Sequence, residues 1–237
     1  MDSFKALAAF AVAAALVCTG CASTGSNLVR PVDSYAAASN VATSEAAQAV
    51  SKLENGNKRF IAGTPANKDI SNARRQELAL QGQHPFAVII SCSDSRVPPE
   101  LIFDQALGEL FVVRVAGNVL DPVSLGSVEY VVEHLHTPLI VVMGHATCGA
   151  VTAAVDGGKP QGNMDAFICK INPAVAKAAS SGLHGNDLVQ KVVELNVANS
   201  LTEVNKSVLI AELIQRGKVK LLGAEYYLES GQVKWLS

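Results

Sequence analysis

The stretch Phe86-Ala-Val-Ile-Ile-Ser-Cys-Ser-Asp-Ser-Arg96 sets a thiol, a carboxylate and a guanidinium directly on the end of a short apolar run. Such a run reads as a buried strand, which delivers the side chains at its end to a site. Cys92, Asp94 and Arg96 alternate with serines, so an extended backbone points all of them to one side and predicts a single pocket.

Working outward, Pro138-Leu-Ile-Val-Val-Met143 leads into Gly144-His-Ala-Thr-Cys-Gly-Ala150, placing His145 and Cys148 on the end of a second apolar run. If both runs are parallel strands of one sheet, their carboxyl ends share an edge, where open α/β sheets build their sites. Cys92, His145 and Cys148 then converge. Two thiolates and an imidazole form a soft donor set suited to zinc, and three protein ligands leave a position for water or substrate, as in catalytic zinc sites. The same two cysteines also admit a disulfide, which an oxidising compartment would favour.

The sequence between and around these clusters predicts an α/β fold with a mostly parallel central β-sheet flanked by helices. Ser44 to Phe60 reads as an amino-terminal helical arm with Ala47, Val50 and Leu53 on one stripe, interrupted at Asn55-Gly56. Ser71 caps a helix through Gln81, and Gly82 terminates it. Pro98-Pro99-Glu100 starts a short helical turn, and Leu110 to Val115 is a second buried strand. Asp121-Pro122 opens a helix whose apolar stripe is Leu125, Val128, Val132 and Leu135. Alternation of apolar runs with amphipathic helices implies βαβ units. Asp156 to Gly162 is a loop, Asp187 to Arg216 is mainly helical with a break near Asn199, and Val219 to Tyr227 with Gln232 to Leu236 forms a carboxyl-terminal hairpin.

With 237 residues, 49% hydrophobic and 17% charged, the chain has the composition of a globular domain. A net charge of −2 and the lack of a basic run argue against nucleic-acid binding. Residues 6 to 17 form an apolar stretch of export-signal length, too short to span a bilayer comfortably. Val17-Cys-Thr-Gly-Cys21 then resembles a bacterial lipoprotein signal, in which Cys21 is lipidated and becomes the mature amino terminus. Cleavage after Ala22 is the alternative. The expected division is a signal peptide over 1–20, a tether over 21–43 rich in Ala, Ser, Thr and Asn, and a catalytic domain over 44–237. The expected location is the periplasm, with the chain anchored to a bacterial membrane through lipid. Of the five cysteines, Cys169 is left over, and an odd count argues against a disulfide framework. His84, His134, His136 and His184 lack partners at ligand spacing and read as surface or capping residues.

Cys-Ser-Asp-Ser-Arg at 92–96 together with Gly-His-x-x-Cys-Gly at 144–149 resembles the β-class carbonic anhydrases. The similarity runs from about Leu53 to Trp235 and includes Arg114-Val-Ala-Gly-Asn118 and Gly223-Ala-Glu-Tyr-Tyr227. The resemblance implies one zinc ion per subunit on Cys92, His145 and Cys148, and reversible hydration of carbon dioxide to bicarbonate and a proton by a zinc-bound hydroxide. Asp94 would accept a hydrogen bond from that hydroxide and Arg96 would hold Asp94 ionised. In a closed state Asp94 itself would take the fourth zinc position. Gln83 matches a substrate-binding glutamine, Phe111 and Tyr130 match aromatic residues lining the carbon dioxide pocket, and Gly149 matches a pocket-lining glycine. On its helix stripe alone, Tyr130 reads as a core residue. The implied assembly is a homodimer or higher homo-oligomer, with an arm that embraces the partner subunit.

Two other readings share these residues. A hydrolase of carbonyl sulfide or carbon disulfide would use the same chemistry on linear apolar analogues. A non-catalytic surface lipoprotein would keep zinc as a structural staple, but a staple needs neither Asp94 nor Arg96.

Overall fold

The structure, a computed structural model, describes residues 32–236, with side chains from Ser44 onward. The expected signal peptide over 1–20 and the lipidation site Cys21 lie outside the described residues. The central sheet has five strands in the order β2-β1-β3-β4-β5. These are β1 (Ala87–Ser91), β2 (Leu110–Arg114), β3 (Leu139–His145), β4 (Lys220–Tyr226) and β5 (Val233–Leu236). All neighbours are parallel except β4 and β5, which form the antiparallel hairpin.

The strands carry apolar side chains on both faces because helices cover both. Ala87 and Ile89 of β1 join Leu53, Ile102, Phe103 and Met143 in a core beneath α1 (Val32–Ala62) and α3 (Pro99–Ile102). Val88 and Ile90 face the other way, against Val128, Val132, Val197 and Ile210. Those residues come from α4 (Pro122–His134), α7 (Gly185–Asn205) and α8 (Val208–Gln215). The start of α4 is fixed by a reciprocal cap. The Asp121 carboxylate accepts from the Ser124 amide at 2.8 Å, and the Ser124 hydroxyl accepts from the Asp121 amide at 2.8 Å. The remaining helices are α2 (Asn72–Gln81), capped by Ser71 as expected, α5 (Gly149–Asp156) and α6 (Asp165–Ala178).

Several expectations need correction. Helix α1 begins at Val32, so the expected tether over 21–43 is helical in its second half, where Ala36-Ala-Ala38 supplies strong helix propensity. Asn55-Gly56 does not interrupt α1. A Cβ on Gly56 would lie 1.7 Å from the Phe103 carbonyl oxygen, so the glycine lets two backbones approach. Next to it, buried Asn57 donates to the carbonyls of Ile102 (3.2 Å) and Gly231 (2.8 Å) and accepts from the Val233 amide (3.0 Å), tying the arm to α3 and the hairpin. The buried stripe is Ala46, Ala49 and Leu53, whereas Ala47 is exposed. The 185–215 region runs unbroken through Asn199 and breaks at Lys206-Ser207, where the Ser207 hydroxyl caps α8. Helix α6 was not expected at all. No helix among the described residues is long and apolar enough to cross a membrane.

Candidate metal centre

The carboxyl edge of the sheet gathers the expected cluster. Cys92 follows β1, His145 ends β3, and Cys148 immediately precedes α5. Their ligand atoms all lie within 4.8 Å of one another, and all three residues are buried. The sulfurs are 3.9 Å apart and both thiols are free, so the disulfide reading is not realised here.

The donor set fits a metal. His145 donates through Nδ1 to the Ala146 carbonyl at 3.0 Å, which leaves Nε2 as the lone-pair nitrogen. That Nε2 is buried without a hydrogen-bond partner, a costly state for a polar atom unless a cation takes its lone pair. The two thiols share one ionisation. A hydrogen bond from Cys148, with help from the Asp94 and Gly117 amides, pulls Cys92 well below its usual range against the opposing effect of burial. The same Cys92 contact and burial push Cys148 up. Two thiolates this close require a cation between them.

Beyond Cys92 the chain turns instead of staying extended, with the Val97 amide donating to the Asp94 carbonyl at 2.9 Å. The expected alternation therefore does not place the three side chains alike; a turn brings Asp94 and Arg96 together. Asp94 Oδ1 accepts from both the Arg96 amide and Nε at 2.9 Å, and Oδ2 accepts from Nη2 at 2.7 Å. The guanidinium holds the Asp94 carboxyl far below the ordinary carboxylate range, and Oδ2 stands 3.9 Å from His145 Nε2. Asp94 is thus in the arrangement paired with Arg96, beside the cluster and outside it.

Of the expected pocket residues, only Gly149 is at the cluster: it is the first residue of α5, and a Cβ there would meet open space. Phe111 pairs with Val88, well back along the strand from Cys92, at about 3.3 Å per residue some 13 Å away. It packs partly buried against the Val88 and Ile90 cluster. Tyr130 is 49% exposed, which overturns its reading as a core residue, and its ring packs at a tilt against His134 with centroids 5.2 Å apart. Gln83 is exposed in the segment between α2 and β1. A single chain does not bring Gln83, Phe111 and Tyr130 to the metal ligands.

Arg114, within the Arg114-Val-Ala-Gly-Asn118 motif, gains a role only in the folded chain. At the end of β2, Arg114 Nε donates to the Cys92 carbonyl at 3.0 Å and Nη2 donates to the Asp94 carbonyl, fixing the turn that carries both side chains. Arg114 stands in register with Ser91, at the strand end that bears the cluster, a pairing that only the folded sheet reveals.

Comparison with known proteins agrees with this geometry. The carbonic anhydrase family matches residues 87–233, a span that contains the whole cluster. Carbonic anhydrase 2 of Mycobacterium tuberculosis is 43% identical over 185 residues, covering 76% of this chain and 87% of that one. A carbonic anhydrase of Mycolicibacterium smegmatis is 39% identical over 187 residues, covering 77% and 89%. Among solved structures, a Coccomyxa β-carbonic anhydrase in complex with acetazolamide superposes with a TM-score of 0.63 at 33% identity, covering 69% of this chain and 78% of that one. A tetrameric β-carbonic anhydrase of Sordaria macrospora superposes with a TM-score of 0.65 at 26% identity, covering 70% and 87%. Fold, cluster and relatives agree, and the chain belongs to the β-class carbonic anhydrase family.

Proposed function

We propose that Cys92, His145 and Cys148 hold one zinc ion, and that Asp94 and Arg96 act beside it in the reversible hydration of carbon dioxide to bicarbonate and a proton. The observation that carries this is the buried, unpartnered His145 Nε2 facing two free thiols, next to a carboxylate locked by arginine. Zinc supplies Lewis acidity that makes hydroxide available from water near neutral pH. Two thiolates offset the zinc charge more than the three histidines of the well-known carbonic anhydrase site, where water is acidified to a pKa of about 7. Asp94 therefore matters more here. It is ionised and accepts a hydrogen bond at the attacking group, while Arg96 keeps it oriented.

We also propose that the chain works as a homo-oligomer in which Gln83, Phe111 and Tyr130 serve the site across a subunit boundary. Support comes from β2, which is an edge strand, and from α2, which has no buried residue. Export with lipid attachment at Cys21 is a further part of the proposal, resting on the sequence of residues 6–21. The functional test is removal and return of the metal. Chelation should abolish carbon dioxide hydration and one equivalent of zinc per chain should restore it. Full activity in zinc-free protein would refute the reading.

A further inference from the structure

Helix α7 backs the metal centre from two directions. On the His145 side, a Cβ on Gly144 would lie 2.6 Å from Val197 Cγ2 and 3.2 Å from Val193 Cγ1, so α7 sits hard against β3 one residue before the ligand. On the Cys92 side the contact is polar. Buried Asn196 donates through Nδ2 to the Gly117 carbonyl at 2.7 Å, and buried Ser200 donates through Oγ to the Asn118 carbonyl at 2.9 Å. Those carbonyls belong to the tight turn Ala116–Asn118, in which Gly117 and Asn118 both have positive φ. The same turn aims the Gly117 N–H at Cys92 Sγ, 3.3 Å away.

We infer that Asn196 and Ser200 are positioning residues that clamp this turn, hold the Gly117 amide on the Cys92 sulfur, and so set how strongly that sulfur donates charge to the metal. The inference rests on Cys92 being a zinc ligand. Neither side chain touches the cluster among the hydrogen bonds described. An amide hydrogen bond draws electron density from a thiolate, and a site with two thiolates gains Lewis acidity from it. A strained turn holds its geometry only while its surroundings over-determine it, and here two buried donors from α7 do so. Nothing at these helix positions announces the role in sequence, because Asn and Ser within a helix read as indifferent polar residues.

The test is cobalt-substituted protein carrying Asn196→Ala, Asn196→Asp or Ser200→Ala. Asn196→Asp keeps the size but replaces the donor with an acceptor facing a carbonyl. With the amide released, the sulfur is richer in charge. The sulfur-to-cobalt charge-transfer band should then move to longer wavelength in all three variants, most for Asn196→Asp. In the zinc proteins, kcat at pH 7 should fall roughly 10-fold, within the usual range for partners of metal ligands. That loss should shrink at higher pH, because a less acidic metal shifts the activity profile upward. A purely structural role would lower stability while leaving band and profile in place. Should Asn196→Ala fail to fold, Ser200→Ala decides by the same readouts. Wild-type band energy and profile in the folded variants overturn the inference. Absence of any sulfur-to-cobalt band in wild-type protein overturns the ligand assignment beneath it.

Discussion

Arg96 grips both carboxylate oxygens of Asp94, at 2.9 Å (Nε to Oδ1) and 2.7 Å (Nη2 to Oδ2), and keeps Oδ2 3.9 Å from His145 Nε2. The pair decides what Asp94 can do. Held by Arg96 it stands beside the cluster; in the closed state implied by the family resemblance, a released carboxylate would compete for the metal. Arg96→Ala should keep zinc yet lose activity about 10- to 100-fold near neutral pH, with partial recovery as rising hydroxide competes with Asp94. Asp94→Asn should likewise keep zinc and lose activity. Metal analysis beside a pH series of hydration rates checks both; wild-type turnover in Arg96→Ala across neutral pH would show the pair to be inert.

Gly56 should not tolerate a side chain. With the Phe103 carbonyl 1.7 Å from the position of a new Cβ, Gly56→Ala must push α1 off α3, and overpacking of this kind costs about 1–3 kcal/mol. Thermal or denaturant unfolding measures it. Gly149→Ala, which meets open space, should leave stability nearly unchanged.

Asp104 pins the end of the arm to α3. Its side chain is 1% exposed, and it accepts from Arg59, Lys68 and the Ala66 amide. Burial works against ionisation, but Lys68, the Ala66 amide and Arg59 outweigh it and bring the carboxyl down to about 2. A depressed carboxyl stabilises the fold fully above the unfolded value of about 3.9 and loses that contribution as pH falls toward 2. Asp104→Asn should therefore lower stability at pH 7 and flatten the stability profile between pH 4 and 2, read by unfolding at each pH.

How much of this could be read from residues alone differs by kind of interaction. The strands are legible because β1 and β3 are buried along their whole length and the edge strand β2 is half-buried, which favours continuous apolar runs, and because the reactive residues sit at the ends of those runs. The ligands were legible because soft donors at strand ends are scarce. Helix α6 is not: Pro173 lies within it and glycine-rich segments flank it, so local signals argue against a helix that packing against α5 and α7 nevertheless supports. Gly56 and Asn199 read as helix breaks for one reason. A local reading weighs helix propensity but cannot see a carbonyl across the interface or a helix seated on two strands. Arg114, Asn196 and Ser200 act through backbone carbonyls of distant segments, and such partners leave no spacing to find. Tyr130 reads as core because its helix stripe does not reveal that α4 leaves that edge uncovered.

If Cys21 is the processed amino terminus, membrane attachment depends on it. Stable anchoring needs more than one acyl chain, which lipoprotein processing supplies. Cys21→Ser should release the protein from the membrane fraction or strand it unprocessed. A native mature protein that is soluble and begins at Ser23 would replace lipidation with simple secretion.

The most direct test of the account is zinc stoichiometry, measured with carbon dioxide hydration, in Cys92→Ser, His145→Ala and Cys148→Ser. Each variant should lose both metal and activity, His145→Ala as completely as the cysteine variants, because a site with three protein ligands cannot spare one. Full zinc retention in any one of them, or wild-type hydration without metal, would contradict the central claim.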